Sequence, residues 1–104
     1  MGIAYQYMKA SLIRHVKGVD ELGNIIEVKM WKIAEPTADK PYGYKYSLVY
    51  IVNGERVIGY DNAEGKGEHR HYRETERPYR FKSVSQLVAD FYDDIEKFKR
   101  GEEP

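Results

Sequence analysis

The chain contains no cysteine. That removes disulfides and thiolate metal sites, and nothing in it asks for an oxidising compartment. It also lacks net charge, because 17 Lys and Arg balance 17 Asp and Glu. A general polyanion binder is strongly basic, so any nucleic-acid contact has to be local. No apolar run approaches the length of a membrane span. Residues 1–10 carry no apolar signal-peptide core, and a cytoplasmic location is the expectation.

What is present fits one compact unit. The 104 residues are 41% hydrophobic and 33% charged. This predicts a single domain over residues 1–104, with residues 1–9 and 101–104 as flexible ends. Ser11 to Val19 reads as a first strand, anchored by Ile13 and Val16. Asp20-Glu21-Leu22-Gly23-Asn24 is a turn cluster. Ile25 to Ile33 reads as a second strand. Ile26, Val28 and Met30 fall on one face, and Glu27, Lys29 and Trp31 on the other. Trp31 implies that part of this polar face is covered. Pro36 and Pro41 mark a loop.

Tyr44 to Val52 is a third strand, apolar enough at its centre to be buried on both faces. Asn53-Gly54 suits a type I′ turn, whose central residues both need positive φ. Arg56 to Tyr60 returns as a fourth strand. Arg77 to Phe81 forms a short fifth strand, placed at an edge by Pro78. Ser83-Val84-Ser85-Gln86 has the pattern of a capping box. Val84, Leu87, Val88, Phe91, Ile95 and Phe98 then recur at helical spacing, and Gly101 ends the helix. The prediction is an α+β fold: an antiparallel sheet of four to five strands, β-β-β-β-(β)-α, with one C-terminal helix packed on one face.

The chemistry concentrates between Gly59 and Arg73. His69 and His71 are separated by one residue, so on a strand they point the same way. A neutral imidazole takes a proton near pH 7 and an imidazolium gives one. Cleaving RNA through its own 2′-hydroxyl needs both services, with cations around the phosphate. His69 and His71 are therefore the candidate acid and base, with Asp61 orienting one ring. Lys66, Arg70 and Arg73 are the candidate phosphate ligands, and Tyr60 or Tyr72 would stack on a base. This scheme calls for no cofactor and no metal. An alternative uses Asp61, His69 and His71 to hold a catalytic metal. The plainer reading is two exposed histidines in a charged loop.

Gly65-Lys66-Gly67 lacks the spacing of a nucleotide P-loop and serves better as a bend, although its amides could approach a phosphate. Tyr42, Tyr44, Tyr46 and Tyr50 share one strand face, either as a base-stacking platform or as cross-strand packing. His15 reads as structural. Asp90, Asp93 and Asp94 read as a solvated helix face.

Several of these blocks are similar to one known family. They are Tyr44-Lys45-Tyr46-Ser47-Leu48-Val49-Tyr50, Gly59-Tyr60-Asp61-Asn62, Gly65-Lys66-Gly67, His69-Arg70-His71-Tyr72, Pro78-Tyr79 with Phe81, and Leu87 with Asp90-Phe91. Across roughly residues 10–100 the chain resembles the TumE-type toxins of prokaryotic toxin–antitoxin modules. The resemblance implies a toxin that acts on RNA, with a helix-turn-helix antitoxin as partner. The residue roles given above come from side-chain chemistry and not from the resemblance. The alternative from another class is a non-catalytic module that docks on a protein or nucleic acid through residues 59–73.

Overall fold

A computed structural model describes residues 10–62, 65 and 67–104. The reading of residues 1–9 and the Lys66 candidate lie outside the described residues. The elements are β1 (Ala10–Val19), β2 (Ile25–Ile33), β3 (Tyr44–Val52), β4 (Glu55–Asp61), β5 (His69–Tyr72), β6 (Thr75–Pro78) and α1 (Val84–Lys99). The strands follow chain order in one antiparallel sheet of six, so every connection joins neighbours.

Six strands replace the four to five expected. The surplus comes from His69–Tyr72, expected as loop, and from Thr75–Pro78, which sits two residues earlier than the predicted fifth strand. Arg73 and Glu74 turn the chain between them, with Arg73 at φ 53. Neither residue is a usual turn former. The Asn53-Gly54 turn has both φ values positive, as a type I′ turn requires.

The helix covers one face of the sheet. Leu87, Phe91 and Ile95 are fully buried, while Val84, Val88 and Phe98 pack at the margin. They meet Val28, Met30, Leu48, Tyr50, Ile58 and Tyr60. Ser83 caps the helix by accepting from the Gln86 amide at 3.0 Å. The reciprocal half of the capping box does not form, because the Gln86 side chain donates to Asp90 instead. At the other end Gly101 adopts φ 76. Its amide donates to Phe98 and the next amide, of Glu102, to Lys97, closing a Schellman turn.

Three expectations about burial change. The centre of β3 is not buried on both faces: Tyr46, Leu48 and Tyr50 are buried, and the residues between them are half-buried on the open side. Ile13 and Val16 are not anchors, being 48% and 46% exposed. They lie on an edge strand beyond the reach of the helix, and Ile13 falls at a register shift between Leu12 and Arg14. Asp94 is not solvated but buried. It accepts from the Tyr60 hydroxyl and from Arg70.

Candidate functional site

The site lies on the sheet face that the helix leaves uncovered. Strand register decides which residues reach it, since directly opposed residues point to one side. His69 opposes Asp61, which opposes Ser47, then Lys29, then His15. His71 opposes Gly59 on one side and Glu76 on the other. His69 and His71 therefore share the open face, and both approach Glu76, at 3.4 and 3.8 Å.

His71 is held at both ring nitrogens. Arg56 Nη2 lies 3.1 Å from Nδ1, and Nε2 lies 2.9 Å from Asp61 Oδ2. A guanidinium only donates, so the partners assign Nδ1 as the acceptor and leave the proton on Nε2, donated to Asp61. Gly59 leaves room for this contact. A Cβ there would stand 2.9 Å from Arg56 Cδ and 3.5 Å from His71 Cδ2.

Arg56 was not among the sequence candidates. By simple alternation it shares a face with Ile58 and Tyr60. A register shift intervenes: Tyr50 opposes Ile58, but Ile51 opposes Arg56. The extra residue, Val57, rotates Arg56 to the open side. Lys29, Trp31 and Lys45 line the same groove as Arg56, Asp61 and His71.

Arg70 lies elsewhere. It opposes Tyr60 on the helix side, 2.6 Å from Asp94 Oδ2 and over the Tyr60 ring. It neutralises a buried carboxylate and does not face the groove. Arg73 is among the residues lining the groove, but its guanidinium rests 5.5 Å from the Tyr72 ring and 5.8 Å from the Phe98 ring. Tyr60 has no exposed surface and cannot stack on a base, and Tyr72 packs against the core from its margin. Burial, then the bond to Asp94, pushes the Tyr60 hydroxyl far above its ordinary value, so it remains a neutral donor.

The tyrosines of β3 pack rather than form a platform: Tyr46 and Tyr50 are buried, and Tyr42, Tyr44 and Tyr46 ring Phe81. His15 bonds Glu27 at 3.0 Å on the edge hairpin. The Gly65 amide points at the Asp39 carboxylate, 3.2 Å away, so an internal anion already occupies that donor. Asn62 fixes the end of β4. Buried, it accepts from the Tyr46 amide at 3.0 Å and donates to the Tyr44 carbonyl at 2.7 Å. Among the described residues, no three His, Asp or Glu side chains converge as a metal-ligand set.

A family model described as toxin TumE matches residues 4–99. The chain belongs to the TumE toxin family. No curated protein and no solved structure matches it. In this TumE-family chain the matched segment includes every element of the open-face site. Among the described residues, no helix is long and apolar enough to cross a membrane.

Proposed function

We propose that this TumE-family toxin is a metal-independent endoribonuclease whose reaction centres on His71. The observation that carries the reading is the Arg56–His71–Asp61 chain on an open, cation-lined sheet face. In the free protein Arg56 occupies the Nδ1 lone pair. A bound phosphate offers the guanidinium a charged acceptor, a stronger partner than a neutral ring nitrogen. Arg56 then moves onto the phosphate and frees Nδ1 to take the 2′-hydroxyl proton. The 2′-oxygen attacks phosphorus as that proton leaves. Asp61 holds the ring in place and stabilises the imidazolium that forms.

His69, about 7 Å along the strand, gives a proton to the departing 5′-oxygen. Its Nδ1 lies 3.4 Å from the Glu76 carboxylate, which holds the ring toward the face. The products are a 2′,3′-cyclic phosphate and a 5′-hydroxyl end. Glu76 and Asp61 orient and balance charge, while Arg56 binds the phosphate. Arg70 belongs to the scaffold. The partner that restrains the toxin is an antitoxin, of helix-turn-helix type in this reading.

One observation favours the alternative of a non-catalytic docking module. His71 is only 10% exposed with both nitrogens engaged, which suits a structural cross-link. The two readings separate on the His69→Ala, His71→Ala double variant. Expression of the wild-type chain without its partner should slow growth, and the folded double variant should not. A folded double variant that stays fully toxic would remove the histidines from the mechanism.

A further inference from the structure

The open face extends well past the histidines. We infer that Trp31 is a stacking platform for one base of a single-stranded RNA that crosses this face, with Lys45 and Lys29 meeting its phosphates. The inference rests on the ribonuclease reading and specifies its substrate as single-stranded. Trp31 opposes Lys45 on β3 and Leu12 on β1, which puts its ring on the same side as His71, Asp61 and Arg56. β2 lies two strand spacings from β4, about 10 Å, and Trp31 stands about 20 Å along β2 from Ile25, the residue level with Arg56. Both residues line one groove, so an extended strand of several nucleotides bound at Arg56 follows it to Trp31.

The side chain is large, flat, half-buried and set among polar neighbours. Lys45 Nζ stands 5.6 Å from the ring centre. A base sliding over the indole moves that ammonium from the ring to the adjoining phosphate, where its charge is better matched. Lys29 lies in the row that runs from His69 through Asp61 and Ser47. Three acidic groups on the face hold cationic or imidazole partners. Glu27 bonds His15 and approaches Lys29 at 3.7 Å, Asp61 bonds His71, and Glu76 approaches both His69 and His71. Lysines beside one partly exposed aromatic ring are the pattern of a sequence-tolerant single-strand site. A duplex keeps its bases stacked inward and offers the ring nothing to hold.

The zero net charge of the chain does not oppose this. Asp90, Asp93, Asp94 and Glu96 all sit on the helix, behind the sheet from the groove.

Trp31 is the only tryptophan in the chain, so its emission reports the contact directly. The probe is a 2′-O-methyl oligoribonucleotide, which lacks the attacking hydroxyl and cannot be cleaved. Added as a single strand, it should quench Trp31 emission saturably. The same strand in a duplex, and inorganic polyphosphate, should not. By anisotropy of a labelled probe, Trp31→Ala should bind roughly tenfold more weakly or worse. Trp31→Phe should recover most of the affinity, which separates stacking from a folding defect.

Binding without quenching, equal quenching by duplex, no binding at all, or full affinity in a folded Trp31→Ala chain would each overturn the inference. Because the probe is not cut, the outcome is independent of catalysis. A chain that binds and quenches but leaves total RNA intact keeps the platform and loses the ribonuclease.

Discussion

Replacing Asp94 by Ala tests how the helix is locked to the sheet. Asp94 has a side chain 7% exposed and takes both the Tyr60 hydroxyl, at 2.5 Å, and the Arg70 guanidinium, at 2.6 Å. Removing one partner of a fully buried pair costs about 3–5 kcal/mol. Arg70 keeps 27% of its side-chain surface in water. It regains part of its hydration, so its share falls to about 1–2 kcal/mol. Tyr60 has no exposed surface and loses its acceptor outright, about 1–3 kcal/mol. Together these give about 2–5 kcal/mol, a large part of the 5–15 kcal/mol typical of a domain.

Urea unfolding followed by Trp31 fluorescence should show this loss as a lower midpoint at constant slope. Asp94→Asn keeps an acceptor oxygen and should fall between wild type and Ala. Arg70→Ala should lose stability while retaining RNA affinity. A loss under about 1 kcal/mol for Asp94→Ala would show that the buried carboxylate does not hold Tyr60 and Arg70 together.

Three further outcomes are expected. Phe91→Ala removes a side chain with no exposed surface and should cost about 3–5 kcal/mol by the same assay, whereas a small change would mean the helix face is not core. Gly59→Ala sets a methyl 2.9 Å from Arg56 Cδ, so cleavage of RNA should drop roughly ten- to hundredfold with the melting curve little moved; undiminished cleavage would detach Arg56 from the reaction. Burial opposes ionisation of Asp20, but bonds from Tyr50 and from the Asn24 and Leu22 amides, with the nearby Lys99 charge, outweigh it and hold the carboxyl below its usual range. A lowered folded pKa gives stability that is present above the unfolded value of about 3.9 and lost as pH falls through the folded one. Asp20→Ala should therefore be weaker at pH 7 and show a shallower acid limb in urea midpoints; parallel limbs would show that Asp20 does not contribute.

The parts of the fold that are legible in sequence are those where one local signal suffices. Asn53-Gly54 marked a hairpin, and the stripe from Val84 to Phe98 marked the helix face. The β5–β6 hairpin was hidden because Arg73 enters positive φ without a Gly or Asn to announce it. Exposure of β1 was hidden because alternation reports which residues share a face, not whether anything covers that face. The side chain of Arg56 was hidden by the register shift at Val57, which no pattern of period two contains. Closeness in sequence makes the cations beside the histidines look like phosphate ligands. Yet Arg70, one residue from each, points through the sheet to Asp94 because neighbours on a strand face opposite ways.

The measurement closest to the central claim is the chemistry of the ends left on single-stranded RNA cut in the presence of EDTA. The account predicts cleavage with 2′,3′-cyclic phosphate and 5′-hydroxyl ends, and intact single-stranded DNA of the same sequence. It also predicts a rate that falls on both the acid and the alkaline side, because one imidazole must be neutral and the other charged. Cleavage abolished by EDTA and restored by Mn²⁺ or Zn²⁺, or DNA cut alongside RNA, would contradict it and make Asp61 a metal ligand rather than the partner of His71.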